Sequence, residues 1–287
     1  MTLKLGRQSF PDDATLVMAI VNRTPDSFYD KGATWAEDRA FDRVAEVVAQ
    51  GAEIVDIGGV KAAPGEEVDI AEERRRVVGF VARVRAAHPD VVISVDTWRG
   101  EVADAVCAEG ADLINDSWGG FDPALVEVAA AHDAALVCTH TGGLTPRTRP
   151  HRIEYADVVA DAIRSTVGQA ERAVSKGVDR CSVLIDPAHD FGKNTWHSLE
   201  ITRRLGEMTA TGWPVLVSLS HKDFVGETLD LPLGERLPGT LAATAVCALA
   251  GARVYRVHDV AETRQVVDMV SAIAGRRSPE RAIRGLA

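Results

Sequence analysis

VVISVDT, Val91 to Thr97, sets the pattern that decides the fold: a short run of Val and Ile that ends in a carboxylate and a hydroxyl. Seven other runs repeat it, each closing on a polar residue of chemical use. They are LVMAIVN (Leu16 to Asn22), EIVDIGG (Glu53 to Gly59), DLINDSWG (Asp112 to Gly119) and ALVCTH (Ala135 to His140), then SVLIDP (Ser182 to Pro187), PVLVSLS (Pro214 to Ser220) and ARVYRVHD (Ala252 to Asp259). Such runs, separated by helix-patterned stretches, are what a parallel sheet covered on its outer face requires. Eight strand-helix units imply an α/β chain closed into a (β/α)8 TIM barrel, whose chemistry collects at the carboxyl ends of the strands. Those ends carry Asn22, Asp56, Asp96, Asn115, Asp116, His140, Asp186, Ser220, Lys222, Arg256 and His258.

Working outward from the strands, Trp35 to Gln50 puts Phe41, Val44, Val47 and Val48 on one helical face, and Gly51 follows as a stop. Ile70 to Ala87 opens acidic and closes on Arg83 and Arg85, the polarity a helix dipole favours. Helices are also expected at Gly100 to Ala108, Pro123 to Ala131, Tyr155 to Lys176, Leu199 to Thr209, Leu241 to Leu249 and Glu262 to Ile273. Three connections are too long for turns: Arg23 to Ala33, Val60 to Val68, and Thr141 to Glu154 with its Arg147, Arg149 and Arg152. Long loops in a compact domain are commonly lids or binding loops.

The chain of 287 residues suits one barrel domain spanning 1–287, since such barrels need about 250. Its first 15 residues are expected to form an N-terminal extension, a small plug or hairpin under the barrel. A formal net charge of −10 argues against non-specific nucleic-acid binding. No stretch approaches the roughly 20 apolar residues of a membrane span, and MTLKLGRQSFPDD lacks the features of a secretory signal. A cytoplasmic protein with no membrane partner is expected. Cys107, Cys138, Cys181 and Cys247 form no C-x-x-C pair and read as reduced thiols, three of them within apolar segments.

Asp96, Asn115 and Asp186 end the third, fourth and sixth runs. Two carboxylates and an amide on one cavity suit a flat heterocycle that offers donor NH groups beside acceptor nitrogens. Singly, each acid could cap the helix that follows it; three at the ends of one barrel's strands are poorly explained that way. Lys222, Arg256 and His258 follow the seventh and eighth strands, where barrels often hold phosphate. Arginine can grip phosphate through paired hydrogen bonds, lysine adds a point charge and histidine a donor. Asn22 offers one neutral oxygen of the kind Mg²⁺ accepts when phosphate and water supply the rest.

Seven segments, IVNRTPDSF, DIGG followed by PG, ISVDT, LINDSWGG, IDPAHDFGKN, SLSHK and RVHDV, resemble in order the motifs of dihydropteroate synthase along nearly the whole chain. The resemblance implies a barrel that joins 6-hydroxymethyl-7,8-dihydropterin pyrophosphate to 4-aminobenzoate in folate biosynthesis and releases pyrophosphate. It implies that Asp96, Asn115 and Asp186 are pterin ligands, that Lys222 lies beside the pterin, and that Phe191 is a pocket wall. Arg256 and His258 become pyrophosphate ligands, Asn22 the magnesium-associated residue, Asp96 and Lys222 the catalytic pair, and the assembly a homodimer.

The departures from the family fall together. Val60-Lys61-Ala62-Ala63-Pro64-Gly65 stands where the family has Glu-Ser-Thr-Arg-Pro-Gly, so the Thr-Arg pair used at the aminobenzoate end is Ala62-Ala63. Ser220-His221-Lys222 replaces Ser-Arg-Lys, Arg23 replaces a small residue in the first loop, and Ala188-His189-Asp190 replaces a Gly-rich stretch. Each lost polar contact to a charged group costs about 1.5–3 kcal/mol, roughly ten- to hundredfold. Two or three losses bring coupling close to nothing unless Arg23 or Lys61 substitutes. The expectation is a homologue resembling the second-copy paralogues of the family, its pterin side retained and its aminobenzoate activity weak or absent. The rival expectations are a fully active synthase, a pterin-binding methyltransferase, a non-catalytic binding or scaffold protein, and a barrel for another phosphorylated ligand read by Arg23 and Lys61.

Overall fold

The computed structural model describes residues 2–24, 37–62, 64–148 and 154–285. The first loop beyond Thr24, with Trp35, and also Ala63, Arg149 and Arg152 lie outside the described residues. Eight parallel strands form the barrel: β3 (Leu16–Asn22), β4 (Ile54–Gly58), β5 (Val92–Asp96), β6 (Leu113–Asp116), β7 (Ala135–Thr139), β8 (Val183–Asp186), β9 (Leu216–Ser218) and β10 (Val254–Val257). Their order is β8-β7-β6-β5-β4-β3-β10-β9. The two edges meet through a parallel bridge between Ile185 and Val215, where Ile185 N donates to the Pro214 carbonyl at 2.9 Å. This closes the ring.

Strand periodicity separates two cores. Val17, Ala19, Val21, Val55, Ile57, Ile93 and Val95 point outward and pack against helices α1 (Glu37–Ala49), α2 (Ile70–Ala87) and α3 (Gly100–Ala108). The alternate residues Leu16, Met18, Ile54, Val92, Leu113, Leu184, Leu216 and Val254 fill the lower barrel. The hairpin β1 (Leu3–Leu5) and β2 (Gln8–Phe10) inserts Leu3 and Leu5, both fully buried, into that inner cluster. The expected plug is therefore present, and it sits under the barrel floor. Higher up, the same inward parity places Asn22, Asp56, Asp96, Asn115, Asp186 and Arg256 above an apolar floor.

The outer ring continues with α4 (Ala124–Ala131), α5 (Val158–Ser175), α6 (Thr195–Arg203), α7 (Leu205–Thr209), α8 (Asp223–Leu229), α9 (Leu237–Leu249) and α10 (Val260–Ile273). The helix expected over Leu199 to Thr209 is two helices broken at Arg204, and the first starts at Thr195. Asn194 sets that start by accepting from His197 N at 2.9 Å in a reciprocal capping box, a signal upstream of the apolar pattern. Helix α8 was not expected; seven residues are too few for a helical period to stand out. Helix α9 begins before the expected Leu241 because Pro238 occupies its first turn, where a missing N–H costs nothing.

Leu5→Ala should lower unfolding stability by about 2–5 kcal/mol, since a fully buried leucine is lost from a packed floor. Urea titration checks this. A loss of less than about 0.5 kcal/mol would mean the hairpin is not part of the cooperative core.

Candidate functional site

At the carboxyl ends of the strands lies a cavity of about 580 Å³. Its base is organised by Asp56, which is fully buried and inward-facing on β4. Ser94 Oγ donates to its Oδ1 at 2.6 Å, and Asn115 Nδ2 and Arg256 Nε donate to its Oδ2 at 3.2 and 2.6 Å. Arg256 Nη2 also donates to Asp96 Oδ2 at 2.9 Å, and Ser117 Oγ donates to Asp96 Oδ1 at 2.7 Å. One guanidinium thus bridges two carboxylates. Burial is the main force on the Asp96 carboxyl and pushes it up to about 6, with Arg256 opposing and Asp56 adding to the rise.

Asp96, Asn115 and Asp186 all line the cavity, so the structure brings the expected heterocycle ligands together. They are not equivalent. Both oxygens of Asp96 are engaged, whereas Asp186 commits Oδ1 to Ala188 N at 2.7 Å and Asn115 commits only its amide nitrogen. Asp186 Oδ2 and Asn115 Oδ1 remain as the acceptors for a ring edge. Lys222 also lines the cavity, its Nζ donating to the His189 carbonyl and lying 5.2 Å from the centre of the Phe191 ring. Burial lowers the Lys222 pKa, and Asp190 and Asp186 oppose that.

The loop after β8 turns through three left-handed residues, Ala188 (φ 50°), Asp190 (φ 68°) and Gly192 (φ 61°). Only glycine adopts this region freely, though aspartate tolerates it better than alanine. At Gly192 a Cβ would collide with the Thr141 carbonyl, so that position admits no side chain. Asp190 is held by Ser198 Oγ at 2.9 Å and Phe224 N at 3.2 Å. Lys193 threads beneath, donating to the carbonyls of His140 and Phe191 at 3.0 and 2.7 Å, and burial lowers its pKa to about 7. Asp190 and Lys193 both line the cavity; neither was expected as a site residue, since their reach depends on this loop's backbone.

His258 closes the far side. Its backbone N–H donates to Ser220 Oγ at 3.2 Å, while that hydroxyl stands 3.0 Å from His258 Nδ1. If the hydroxyl proton is given to Nδ1, Nε2 is the protonated donor of a neutral ring. Burial first, then Arg256, hold the His258 pKa down near 3, in keeping with that neutral form. Asn22 lines the cavity beside it. Among the described residues no three or more His, Cys, Asp or Glu side chains are grouped so as to hold a metal ion. The donor set suits only a hard cation that keeps most of its waters and shares a phosphate.

Two of the altered side chains lie off the cavity lining. Arg23 is buried with its guanidinium 5.0 Å from the centre of the Phe80 ring and 3.8 Å from Glu37, and it does not line the pocket. His221, in a left-handed backbone (φ 54°), faces Asp259 at 2.6 Å and the Leu233 carbonyl at 3.2 Å. Packing on helix α2 holds Arg23 away from the cavity lining, where it does not stand in for the missing arginine. Lys61, Ala62 and Ser220 do line the cavity, and Ala63 lies outside the described residues.

The wall by Ala62 is apolar. Val60, Trp98 and Trp118 form a buried cluster against which Ala62, Val68, Leu144 and Phe191 pack. Trp118 meets Phe191 edge-on at 5.5 Å and Trp98 at 6.5 Å. Asp116 faces outward and fixes this turn by accepting from Trp118 N and Gly120 N at 3.0 and 2.5 Å, so its place at a strand end reflects loop structure.

A family profile described as pterin binding enzyme matches residues 18–258. An inactive dihydropteroate synthase 2 of Mycobacterium tuberculosis is 60% identical over 279 residues, 96% of this chain and 88% of the relative. The dihydropteroate synthase of Bacillus subtilis is 37% identical over 263 residues, 91% of this chain and 89% of its own length. The crystal structure of Yersinia pestis dihydropteroate synthase with a sulfonamide drug superposes with a TM-score of 0.90 at 33% identity, covering 96% of this chain and 100% of that one.

Arg256→Met should destabilise the fold by about 3–5 kcal/mol at neutral pH, because two buried carboxylates lose their cation. With the Asp96 pKa raised above its unfolded value, the deficit should shrink as pH falls through 6 toward 5 and Asp96 takes up a proton. Urea unfolding at pH 8 and pH 5 checks the sign. A deficit that grows on acidification would contradict the pairing.

Proposed function

This chain belongs to the pterin-binding enzyme family and is a dihydropteroate synthase homologue; from that premise we propose that it holds a pterin pyrophosphate but has lost efficient coupling to 4-aminobenzoate. One contrast carries the reading. Asp186, Asn115 and Lys222 are arrayed around one cavity, while the adjoining wall of Val60, Ala62 and Trp118 is apolar and Arg23 and His221 are engaged elsewhere. The 60% identity to a relative named as inactive supports the same direction.

In this reading Asp186 Oδ2 and Asn115 Oδ1 take the donor edge of the pterin, with Phe191 as a wall. Asp96 stabilises positive charge that grows on the ring as the carbon–oxygen bond to pyrophosphate breaks. Arg256 keeps its Nη1 edge for phosphate oxygens, its other nitrogens being held by Asp56 and Asp96, and His258 Nε2 adds a second donor. Asn22 would hold Mg²⁺, which supplies neutralisation of charge on the leaving pyrophosphate when bound with it. A neutral amine attack on the exposed methylene needs no covalent enzyme intermediate. Among the described residues, Arg256 is the one arginine that lines the cavity, and its fork is already committed to Asp56 and Asp96, so none is left to fix the benzoate carboxylate.

A second reading, a non-catalytic binding protein, is favoured by the charge of the lining. Among the described residues, the carboxylates Asp96, Asp186, Asp190, Asp223 and Glu227 face Lys61, Lys193, Lys222 and Arg256, an excess of one negative charge that weakens a pyrophosphate site. The reading includes a homodimer, supported by Val246, Leu249, Met269 and Ile273, exposed together on the adjoining helices α9 and α10. A cytoplasmic location goes with a folate-type substrate. No helix among the described residues is long and apolar enough to cross a membrane.

Calorimetric titration with 6-hydroxymethyl-7,8-dihydropterin pyrophosphate and Mg²⁺ should show binding that falls as pH drops below about 6, where Asp96 takes up a proton. Asp186→Asn should weaken it roughly ten- to hundredfold, the worth of a hydrogen bond to a charged group. Absence of binding in a folded chain would sink the pterin assignment. Added 4-aminobenzoate should release pyrophosphate at least about a hundredfold more slowly than an ordinary synthase of the family, two lost contacts at tenfold each. Comparable turnover would show that coupling is intact.

A further inference from the structure

Asp190 stands in a left-handed backbone (φ 68°), which glycine adopts freely and a residue with a Cβ holds only at a cost. The carboxylate placed there is built into its surroundings. Ser198 Oγ on α6 donates to Oδ1 at 2.9 Å and accepts from the Asp190 N–H at 3.1 Å. Phe224 N, in the first turn of α8, donates to Oδ2 at 3.2 Å. Lys222 answers in the opposite direction, its Nζ donating to the carbonyl of His189, the residue before Asp190. The loops after β8 and β9 thus exchange side-chain bonds to each other's backbone. The exchange brings a carboxylate and an ammonium, both lining the cavity, to one corner of it.

The two charges act on each other. Burial lowers the Lys222 pKa, and among the charges that oppose this Asp190 comes ahead of Asp186. Burial raises the Asp190 pKa, and Lys222 is the foremost charge against that rise. A lysine on a cavity wall would by itself draw in a phosphate or carboxylate. With a carboxylate fixed at the same corner, an entering anion gains Lys222 and meets Asp190 at once, so its attraction is largely offset. An uncharged ring edge loses nothing by that pairing. An ammonium has three donors, and Lys222 gives one to His189, which leaves N–H groups for a ring carbonyl or nitrogen.

We propose that Asp190 is a specificity-determining residue: the fixed counter-ion of Lys222, which selects an uncharged polar ring over an anionic group at this corner of the cavity. The proposal deepens the reading of the cavity as a pterin site and rests on it only for the identity of the ring.

The test titrates the full chain and its Asp190→Asn and Asp190→Gly variants by calorimetry at pH 8, which favours the charged carboxyl although burial raises its pKa. Two probes are used: inorganic pyrophosphate in magnesium-free buffer, and 6-hydroxymethyl-7,8-dihydropterin, which is uncharged. Asp190→Asn should tighten pyrophosphate roughly three- to thirtyfold, as removal of one nearby charge at intermediate dielectric predicts. That gain should exceed any change in the pterin at least threefold. Asp190→Gly, which also frees the backbone, should reproduce it. If Asp190 merely tethers its loop, both variants should weaken both probes alike, and that result would overturn the proposal. Pyrophosphate affinities that neither variant changes would do the same, as would no pyrophosphate binding by any of the three proteins. Tighter pyrophosphate in the variants with no pterin binding by any of them leaves Asp190 as the charge selector, while the pterin reading fails. Pterin binding with pyrophosphate unchanged defeats the selector alone.

Discussion

A single guanidinium held between two buried carboxylates governs the upper half of this barrel. Arg256 on β10 reaches across to Asp56 on β4 and Asp96 on β5, and Asp56 in turn takes Ser94 and Asn115. Four strands are thereby tied at one level above the apolar floor. Such a pair is costly to bury and costlier still to break, because either partner alone would be an uncompensated charge. The arrangement also sets what a ligand meets: Asn115 is left with its oxygen, Asp96 with a raised pKa, and Arg256 with one edge of its fork. Structure and recognition draw on the same hydrogen bonds.

The cavity above is asymmetric. Its inner end keeps polar groups whose directions are fixed by strand parity, and parity survives loop change. Its outer end depends on loops, and there the chain has diverged as a set. Arg23 packs on Phe80, His221 turns to Asp259, and Ala188 and Asp190 accept left-handed backbone that glycine would adopt at no cost. Asp190 then brings a carboxylate into the lining near Lys222, which moderates the field that would draw an anion. The family's chemistry is disfavoured by several modest effects acting together.

Much of the barrel was legible in the chain. Apolar runs such as VVISVDT, each closing on a polar residue, marked the eight strands and their carboxyl ends, and the structure brings Asp96, Asn115 and Asp186 into one cavity. The role of Asp56 was less legible. Its place near a strand end was visible, but its partners depend on β4 standing beside β5 in a register that no local pattern encodes. Where Arg23 and His221 point was not readable either, because a ring on α2 and a positive φ decide it. Helix α8 is too short to show a helical period, and α6 starts at the Asn194 cap, upstream of the apolar pattern that marks its body. Local patterns carried the scaffold; side-chain direction in loops had to come from packing.

Asp56 and Arg256 act as one unit, and a double-mutant cycle in urea unfolding at pH 7.5 measures their coupling. Arg256→Met strands two buried carboxylates and Asp56→Asn leaves the guanidinium with Asp96 alone, so the double variant, with only Asp96 stranded, should be less destabilised than the sum of the two by at least about 1 kcal/mol. Losses that add to within about 0.5 kcal/mol would mean the two residues do not depend on each other, contradicting the claim.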